Sequence, residues 1–410
     1  MHCVRKSRSV CGVSILFYVA VVAIMAFSAG SDCLAAKPAS PAISGKDCPI
    51  VLVHGFLGWG REEMGGYFYW GGFFDIEKMF ADKGFKTVTA SVGPVSSVHD
   101  RACELFWQLR GGRVDYGEEH AKTFGHRQSG KKYKAMLPEW SEEKPVHMIG
   151  HSMGGQTIRY LSELLAQDYF KQGTNERWIL SLTTISTPHN GTTLATIVSN
   201  IFWSLAEEIL TGINALANGS LDAVYDFDLQ QWGIERRRGE GMREHLRRIA
   251  ATVGDTKDIS SYDLAPQGAR ELNQKIRVFP DIYYMGYSNA STFKAPVIGV
   301  SISRRLSINP ALYLPADFMG TYFGSAVPEG RHRAWQVNDG IVNTISMAGP
   351  SNTKKRRPRS GKAIEPGAWY DMGLTGNTDH LQIVGHYVID KEWLSGFYAG
   401  IAARLADFKR

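Results

Sequence analysis

Short apolar runs alternate with segments of helical spacing through most of the chain. Four runs rich in β-branched residues predict buried strands, at residues 49–53, 86–90, 146–149 and 178–186. Residues 100–109 and 157–166 instead carry apolar residues at spacings of three and four, which predicts helices. Strands that alternate with helices indicate βαβ units. The pattern therefore predicts an α/β fold with a mostly parallel central sheet.

The same pattern predicts one elaborated domain over residues 48–410, because it contains no internal repeat and no low-complexity linker. Residues 110–143 are rich in Gly, His and charge and predict a loop-rich excursion, within an insertion of about 100–143. Residues 191–257 carry helical patterns that do not belong to the alternation of strands and helices. Such a segment fits either a lid or a packed accessory helix. Its apolar stripe comprises Leu194, Ile197, Ile201, Leu205 and Ile209, broadened by Phe202 and Trp203.

The N-terminus has the composition of a secretory signal peptide. Basic residues within 5–8 precede an apolar stretch at 13–29, and small residues follow, so cleavage is expected after Ala35 or Ala36. A linker would then cover residues 37–47. The alternative is an uncleaved membrane anchor, since the apolar stretch approaches the length that spans a bilayer. Either way we expect export, and secretion if cleavage occurs.

Bulk composition narrows the function class only slightly. Of 410 residues, 44% are hydrophobic and 21% are charged, as in ordinary globular proteins, and the net charge of +6 is mildly basic. The sequence contains no repeated pattern of basic and aromatic residues, so nothing in it indicates nucleic-acid binding. The basic run at 354–359 fits a solvated loop or, alternatively, a contact with anionic lipid. Outside the presequence, Cys48 and Cys103 could form one disulfide or remain two buried thiols.

The strongest chemical signal is the sequence GHSMG at residues 150–154. It lies between a predicted strand and a predicted helix, which is the context that a G-x-S-x-G nucleophile elbow requires. Glycine is needed where a Cβ would collide with backbone in so tight a turn. We therefore expect Ser152 to be a catalytic nucleophile.

A second signal is His54-Gly55-Phe56, directly after the first predicted strand. In folds with this elbow, that loop and the residue after the nucleophile supply backbone N–H groups to an oxyanion hole. The expected donors are the N–H groups of Phe56 and Met153.

A serine nucleophile needs a base and an acid later in the chain. His380 lies in a polar turn before an apolar run, and Asp339 lies in a loop after a strand-like segment. Asp371 is a weaker candidate for the acid, while Asp379 is too close to His380 to orient its ring. From chain order alone these choices remain open. The other candidate histidines beyond Ser186 are His189, His245, His332 and His386.

From about residue 48 to the C-terminus, the chain resembles the thermoalkalophilic lipases of the Bacillus type and their staphylococcal relatives. The segments that carry the resemblance include HGFLGWGREEM (54–64), GGRVDYGEEHAKTFGH (111–126), GHSMGGQT (150–157), NDGIVNTISM (338–347) and DHLQIVG (379–385). The resemblance implies an α/β-hydrolase fold with a helical lid. It also implies that Asp339 is the triad acid and His380 the base.

The family resemblance further implies a zinc site in a small inserted region, with the ligands Asp100, His120, His126 and Asp258. Two nitrogen and two oxygen ligands suit tetrahedral Zn²⁺, and four protein ligands leave no open position for water. The zinc would therefore be structural.

The calcium site of the same family is not matched. Gln382 stands where the family has an acidic ligand, and residues 387–388 replace an Asp-Pro pair. Fewer carboxylates hold a hard cation less well, so we expect no calcium at that position.

The sequence thus predicts a secreted triacylglycerol lipase that cleaves carboxylic esters through an acyl-enzyme, with a lipid ester at an oil–water or membrane interface as its partner. No protein partner is implied. Alternatives of the same chemistry are an esterase, a phospholipase or a polyester depolymerase. An alternative of another class is a non-catalytic lipid- or surface-binding protein with a hydrolase shell.

Overall fold

A central sheet organises the part of the chain that a computed structural model describes, which is residues 42–197, 199–216, 225–295, 299–387 and 390–410. Ala42–Arg410 is one compact unit, and the predicted presequence lies outside the described residues. Seven described strands form the sheet in the order β10-β11-β7-β6-β5-β1-β2, and every neighbouring pair is parallel. The four strands predicted from sequence are among them, each displaced by no more than a residue or two. The strands of this sheet are β1 Ile50–Val53, β2 Thr87–Ala90, β5 Val146–His151, β6 Ile179–Ile185, β7 Tyr283–Ala290, β10 Lys355–Arg356 and β11 Trp369–Gly376.

Helices and two small hairpins surround the sheet. The hairpins pair β3 with β4 and β8 with β9, both antiparallel. Their strands are β3 Gly112–Asp115, β4 Ser129–Tyr133, β8 Thr292–Lys294 and β9 Ser301–Ser303. The helices are α1 Ile76–Asp82, α2 Val98–Arg110, α3 Glu118–Phe124, α4 Met153–Ala166, α5 Ser199–Leu216, α6 Met242–Val253, α7 Ser260–Leu264, α8 Pro266–Lys275, α9 Tyr313–Gly320, α10 His332–Trp335 and α11 Lys391–Asp407.

The central sheet is buried on both faces, as the apolar runs predict. In β1, Ile50 and Leu52 belong to one apolar core, whereas Val51 and Val53 belong to another. Alternate residues of a strand point to opposite faces, so one four-residue strand contributes to both cores. The loops at the carboxyl ends of the strands are thereby held on a rigid base.

Two predicted segments differ from the structure. The excursion at 110–143 is more regular than expected, because β3 and β4 form a hairpin with α3 between them. The predicted helix at 157–166 begins earlier, at Met153. Its first turn contains Gly154 and Gly155, which are poor helix formers and hid the start of the helix in the sequence.

The structure also shows whether the two cysteines form a disulfide and what conformation the basic run adopts. Cys48 and Cys103 are both free and buried, so they are two separate thiols. The basic run includes the edge strand β10, and within it Arg356 pairs with Glu365 at 2.5 Å. Among the described helices, none is both long enough and apolar enough to cross a membrane.

Candidate active site

The turn between β5 and α4 places Ser152 in a strained backbone conformation. Ser152 has φ 55° and ψ −129°, and α4 starts at the next residue. A Cβ on Gly150 would lie 2.5 Å from the carbonyl carbon of Gly154, and a Cβ on Gly154 would lie 2.2 Å from the carbonyl oxygen of Val53. The two glycines of the motif therefore permit a turn that a larger residue would prevent. The sharp turn presents Ser152 at the carboxyl edge of the sheet.

Asp339 and His380 come together in a buried pair. The Nδ1 atom of His380 donates to Oδ2 of Asp339 at 2.7 Å, and the backbone N–H of His380 donates to the carbonyl of Asp339 at 3.0 Å. The other carboxylate oxygen, Oδ1, accepts the backbone N–H groups of Ile341 (3.0 Å) and Val342 (2.7 Å). Both oxygens are thus satisfied by hydrogen bonds, which fixes the carboxylate and the ring that it contacts.

The competing acids lie elsewhere. Asp371 is on β11, where it contacts Arg357 at 3.4 Å and accepts the N–H of Gly373. Asp379 accepts backbone N–H groups in its own turn and that of Asn309. One detail of the sequence interpretation is wrong, because the four-residue helix α10, and not a strand, precedes Asp339.

Ser152 and His380 line the same cavity, whose volume is about 60 Å³. Helix α5 covers it with Phe202, Ala206 and Ile209. The side chains of Ile201 and Leu205, which belong to the predicted apolar stripe, lie outside the described ones. The remaining lining is mostly apolar or aromatic and comprises Phe56, Leu57, Trp59, Tyr69, Thr192, Leu194, Leu264, Ile341, Val342, Leu381 and His386.

The loop that carries Phe56 lies against the nucleophile. A Cβ on Gly55 would be 2.7 Å from Cβ of Ser152. The ring of His54 holds the loop at both nitrogens, since Nδ1 bonds the carbonyl of Gly55 at 2.8 Å and the N–H of Val92 donates to Nε2 at 3.1 Å. Met153 is the first residue of α4, where N–H groups have no partner within the helix. The loop that carries Phe56 and the first residue of α4 are thus both next to Ser152, which is where the two predicted oxyanion donors are required.

Two side chains that position this loop were missed by the sequence analysis. The hydroxyl of Tyr69 accepts the N–H of Gly55 at 2.9 Å and donates to Nδ1 of His151 at 2.6 Å. The buried guanidinium of Arg101 donates to the carbonyl of His54 at 2.5 Å and to Oγ1 of Thr157 at 3.0 Å. These contacts join residues far apart in the chain, so the local pattern contains no sign of them.

His151 lies beside the candidate base, with its ring centroid 4.5 Å from that of His380. Burial lowers the pKa of His151 well below the ordinary histidine value, and a positive charge on the neighbouring His380 would lower it further. His151 therefore stays neutral and adds no charge that would oppose a protonated His380.

The four predicted metal ligands converge on one point. His120 Nε2 lies 3.2 Å from Oδ1 of both Asp100 and Asp258, and His126 Nε2 lies 3.2 Å from Oδ2 of Asp258. One ligand atom from each residue falls within 4.8 Å of every other. Oδ1 of Asp100, Oδ2 of Asp258 and both Nε2 atoms are buried, and apart from one another they have no hydrogen-bond partner among the described residues. Buried polar atoms without a partner are costly, so this donor set fits a divalent cation.

Neighbouring groups orient these ligands. Nδ1 of His126 bonds the carbonyl of Arg127 at 2.8 Å, which leaves Nε2 directed at the cluster. The second oxygen of Asp100 accepts from Nε2 of Gln231 at 3.0 Å. Supporting hydrogen bonds of this kind are usual around protein metal sites.

Comparison of the sequence with known proteins identifies its family. A family model described as "Lipase-like, C-terminal domain" matches residues 46–409. The curated lipase of Staphylococcus hyicus is 32% identical over 389 residues, covering 86% of this chain and 57% of that protein. The chain therefore spans a little over half the length of that relative.

Solved structures give the same result. EstA from Clostridium botulinum is 38% identical with a TM-score of 0.79, and the match covers 90% of this chain and 89% of that one. Lipase 1 from Pelosinus fermentans is 34% identical with a TM-score of 0.76, covering 88% and 99%. The fold is of the α/β-hydrolase type, as the resemblance implies. The chain belongs to the lipase-like C-terminal domain family.

Proposed function

We propose that the protein is an exported carboxylic ester hydrolase, a triacylglycerol lipase, in which Ser152, Asp339 and His380 form the catalytic triad. The observation that carries this proposal is the 2.7 Å bond between Nδ1 of His380 and Asp339, in a cavity that Ser152 also lines. A base oriented by a buried carboxylate, in the same cavity as a serine on a strained elbow, is the arrangement that nucleophilic ester cleavage requires.

The proposed reaction has two halves. His380 takes the hydroxyl proton of Ser152 as its oxygen attacks the ester carbonyl, and Asp339 stabilises the imidazolium that forms. The N–H groups of Phe56 and Met153 hold the oxyanion of the tetrahedral intermediate. His380 then protonates the departing alcohol. In the second half His380 activates water, which attacks the acyl-enzyme and releases the fatty acid.

Lipid esters are the proposed substrates because the site is apolar and covered. A cavity of about 60 Å³ holds a few water molecules but no long acyl chain, so α5 must move before such a substrate enters. Phe202 and Ile209 would then lose their contacts unless another apolar surface replaces them. An aggregated lipid provides that surface, which supports a lid function for α5.

We propose that the metal is zinc and that its role is structural. Asp100, His120, His126 and Asp258 would hold it with all four positions filled by protein, which leaves none for a reacting water. It would then link α2, α3 and the segment before α7. We assign no calcium ion to the turn after His380, where Gln382 bonds the N–H of Asp379 through its amide oxygen.

The rival of another class is a lipid-binding protein without catalysis. Such a protein would have no need of a buried carboxylate held by two backbone N–H groups and aimed at a histidine. The rivals of the same chemistry differ in substrate, and a series of acyl chain lengths in soluble and emulsified form separates them.

The decisive experiment replaces the nucleophile. Ser152→Ala should lower kcat on a chromogenic short-chain ester by about 10⁴-fold or more, because no other group can form the acyl-enzyme. Ser162→Ala is the matched control, since Ser162 is a buried serine of α4, the helix that follows Ser152, and its hydroxyl donates to the carbonyl of Arg159. The control should retain wild-type turnover. Wild-type turnover in Ser152→Ala would refute the assignment.

A further inference from the structure

Exposed large apolar side chains are concentrated in helix α9 and in the segments directly before and after it. Of eight large apolar side chains that are exposed in the described chain, four fall between residues 306 and 323. They are Leu306 (105% exposed), Leu314 (78%), Phe323 (60%) and Phe318 (36%). Leu314 and Phe318 are four residues apart and therefore share one face of the helix. Such a concentration of exposed apolar groups marks an interaction surface.

The opposite face of α9 supports the wall of the active-site cavity. Leu312 and Ala316 pack in a small apolar cluster with Ile341 and Leu381, and both of these line the cavity. Thr192, another lining residue, donates its hydroxyl to the carbonyl of Ile341 at 2.6 Å, and the same oxygen lies 3.4 Å from the sulfur of Met319. A surface that binds the outer face of α9 would therefore lie next to the cavity in which Ser152 is found.

Arginines without a carboxylate partner among the described residues lie in the same part of the chain, although the guanidinium of Arg304 lies over the ring of Phe293. Arg304, Arg331 and Arg333 are exposed, and no carboxylate of the described residues lies within ion-pair distance of them. Arg304 lies two residues before Leu306 in the sequence. The ring of Phe323 lies 5.8 Å from that of His332, and His332 is flanked in the sequence by Arg331 and Arg333. Arginines at the edge of an apolar surface favour phosphate groups over a purely hydrocarbon surface or a neutral protein.

We propose that this α9 patch (Leu306, Leu314, Phe318 and Phe323, with Arg304, Arg331 and Arg333) docks the protein on an anionic phospholipid surface. The inference deepens the proposed lipase function. Docking through α9 is separate from the opening of α5, because the patch is exposed while the cavity is closed. The apolar side chains enter the acyl layer and the arginines contact the lipid phosphates.

Vesicle sedimentation tests the apolar part. The full chain carrying Ser152→Ala is mixed with vesicles of phosphatidylglycerol and phosphatidylcholine, so that binding is measured without hydrolysis. Adding Leu314→Ser and Phe323→Ser should lower the partition coefficient about tenfold or more, because their burial in lipid is lost. The matched control adds Phe73→Ser and Leu374→Ser, whose side chains are 74% and 59% exposed elsewhere, and should bind as before.

The charged part is tested in the same assay. Arg304→Gln with Arg333→Gln should lower binding to phosphatidylglycerol vesicles about tenfold and leave the weaker binding to pure phosphatidylcholine unchanged. Arg357→Gln with Arg359→Gln, in the basic run, is the control and should have no effect. Wild-type binding by the α9 variants, or loss of binding only in the basic-run control, overturns the proposal.

Two further outcomes are informative. If the patch is instead a contact between two copies of the chain, sedimentation velocity will reveal a dimer that Leu314→Ser with Phe323→Ser dissociates, and this also overturns the proposal. Because binding is measured with Ser152→Ala, a failure of ester hydrolysis in the unmodified chain leaves the docking result intact. The two proposals can therefore fail separately.

Discussion

At the level of single residues, the candidate site depends on how Asp339 is held. Its two oxygens have different partners, the N–H groups of Ile341 and Val342 on one side and His380 on the other. An asparagine at position 339 could still accept the two backbone N–H groups with its amide oxygen. Its NH₂ group would then face the N–H of the His380 ring, where two donors cannot form a hydrogen bond. The tautomer of His380 therefore depends on the negative charge of Asp339.

We predict that Asp339→Asn lowers kcat on a short-chain ester by about 10⁴-fold while the protein stays folded, because the imidazole takes the wrong tautomer. Asp371→Asn should change kcat by less than about twofold, since Asp371 contacts Arg357 on β11. Steady-state kinetics of both variants, with circular dichroism as the folding check, tests this. The reverse order of effects would transfer the acid role to Asp371.

A local motif predicts Ser152 as the candidate nucleophile, whereas chain order alone left the acid and the base open and the family resemblance indicated Asp339 and His380. The side chains that position these candidates could not be predicted. Tyr69 and Arg101 instead act on Gly55 and His54 through contacts that the folded chain creates. A tyrosine or an arginine in a helix or loop carries no local sign of such a role.

At the level of secondary-structure elements, the helix that covers the cavity gives the clearest prediction. Phe202→Ser with Ile209→Ser should reduce activity on emulsified long-chain triacylglycerol about tenfold or more, because an opened α5 then gains little from lipid. Turnover of a soluble short-chain ester should change by less than about threefold. The control is Glu208→Ser on the exposed side of the same helix. Equal losses on both substrates would mean that α5 is ordinary packing.

Elements with apolar periodicity were the predictable ones. Helix α2 extends only slightly beyond the predicted residues 100–109, because its apolar residues recur at spacings of three and four. Strands β3 and β4 were missed, since their sequences GRVD and SGKKY are largely polar and only part of each is buried. A short hairpin that is mostly exposed does not produce the alternation by which strands are recognised.

A prediction that joins elements concerns the metal. We expect about one zinc per chain by elemental analysis, and His126→Ala should lower the thermal unfolding midpoint by about 5 °C or more, because a bond between distant segments is lost. Turnover of a soluble ester at low temperature should remain within about twofold. His332→Ala, outside the metal cluster, is the control. Absence of zinc from protein made in zinc-containing medium would refute the assignment.

At the level of the whole molecule, buried histidines make the fold sensitive to acid. Burial lowers the pKa of His147 from 6.5 to about 4, and that of His54 and His386 to about 3. It also lowers the pKa of His151 and His189 well below 6.5. All five therefore remain neutral in the folded protein down to a pH at which they are charged in the unfolded chain.

The sign of the effect follows directly. Below pH 6.5 the unfolded chain protonates these five histidines and the folded chain does not. Burial raises the pKa of Glu104, Asp263 and Asp379 to about 8, 7 and 6, so these three carboxyls act in the opposite direction. Because the histidines are more numerous, the free energy of unfolding should still fall as the pH drops from about 6.5 to 5. The slope reaches about 1.4 kcal/mol per pH unit for each such histidine. Urea unfolding at several pH values measures this slope. His147→Gln should reduce it by the contribution of one histidine, up to about 1.4 kcal/mol per pH unit. A stability that is flat or rises over this interval would contradict the prediction.

The order of strands in the sheet has a consequence for how fast the protein folds. Several neighbouring strands are far apart in the chain, since Ile50 pairs with His147 and Tyr284 pairs with Trp369. The chain must lose the entropy of long loops before such pairings can stabilise it, so parallel sheets of this kind form slowly. During that interval strands such as β1, which the finished fold buries on both faces, remain exposed to other copies of the chain. Refolding from denaturant should therefore lose yield as protein concentration rises, and a chain that crosses a membrane unfolded meets the same competition on the far side.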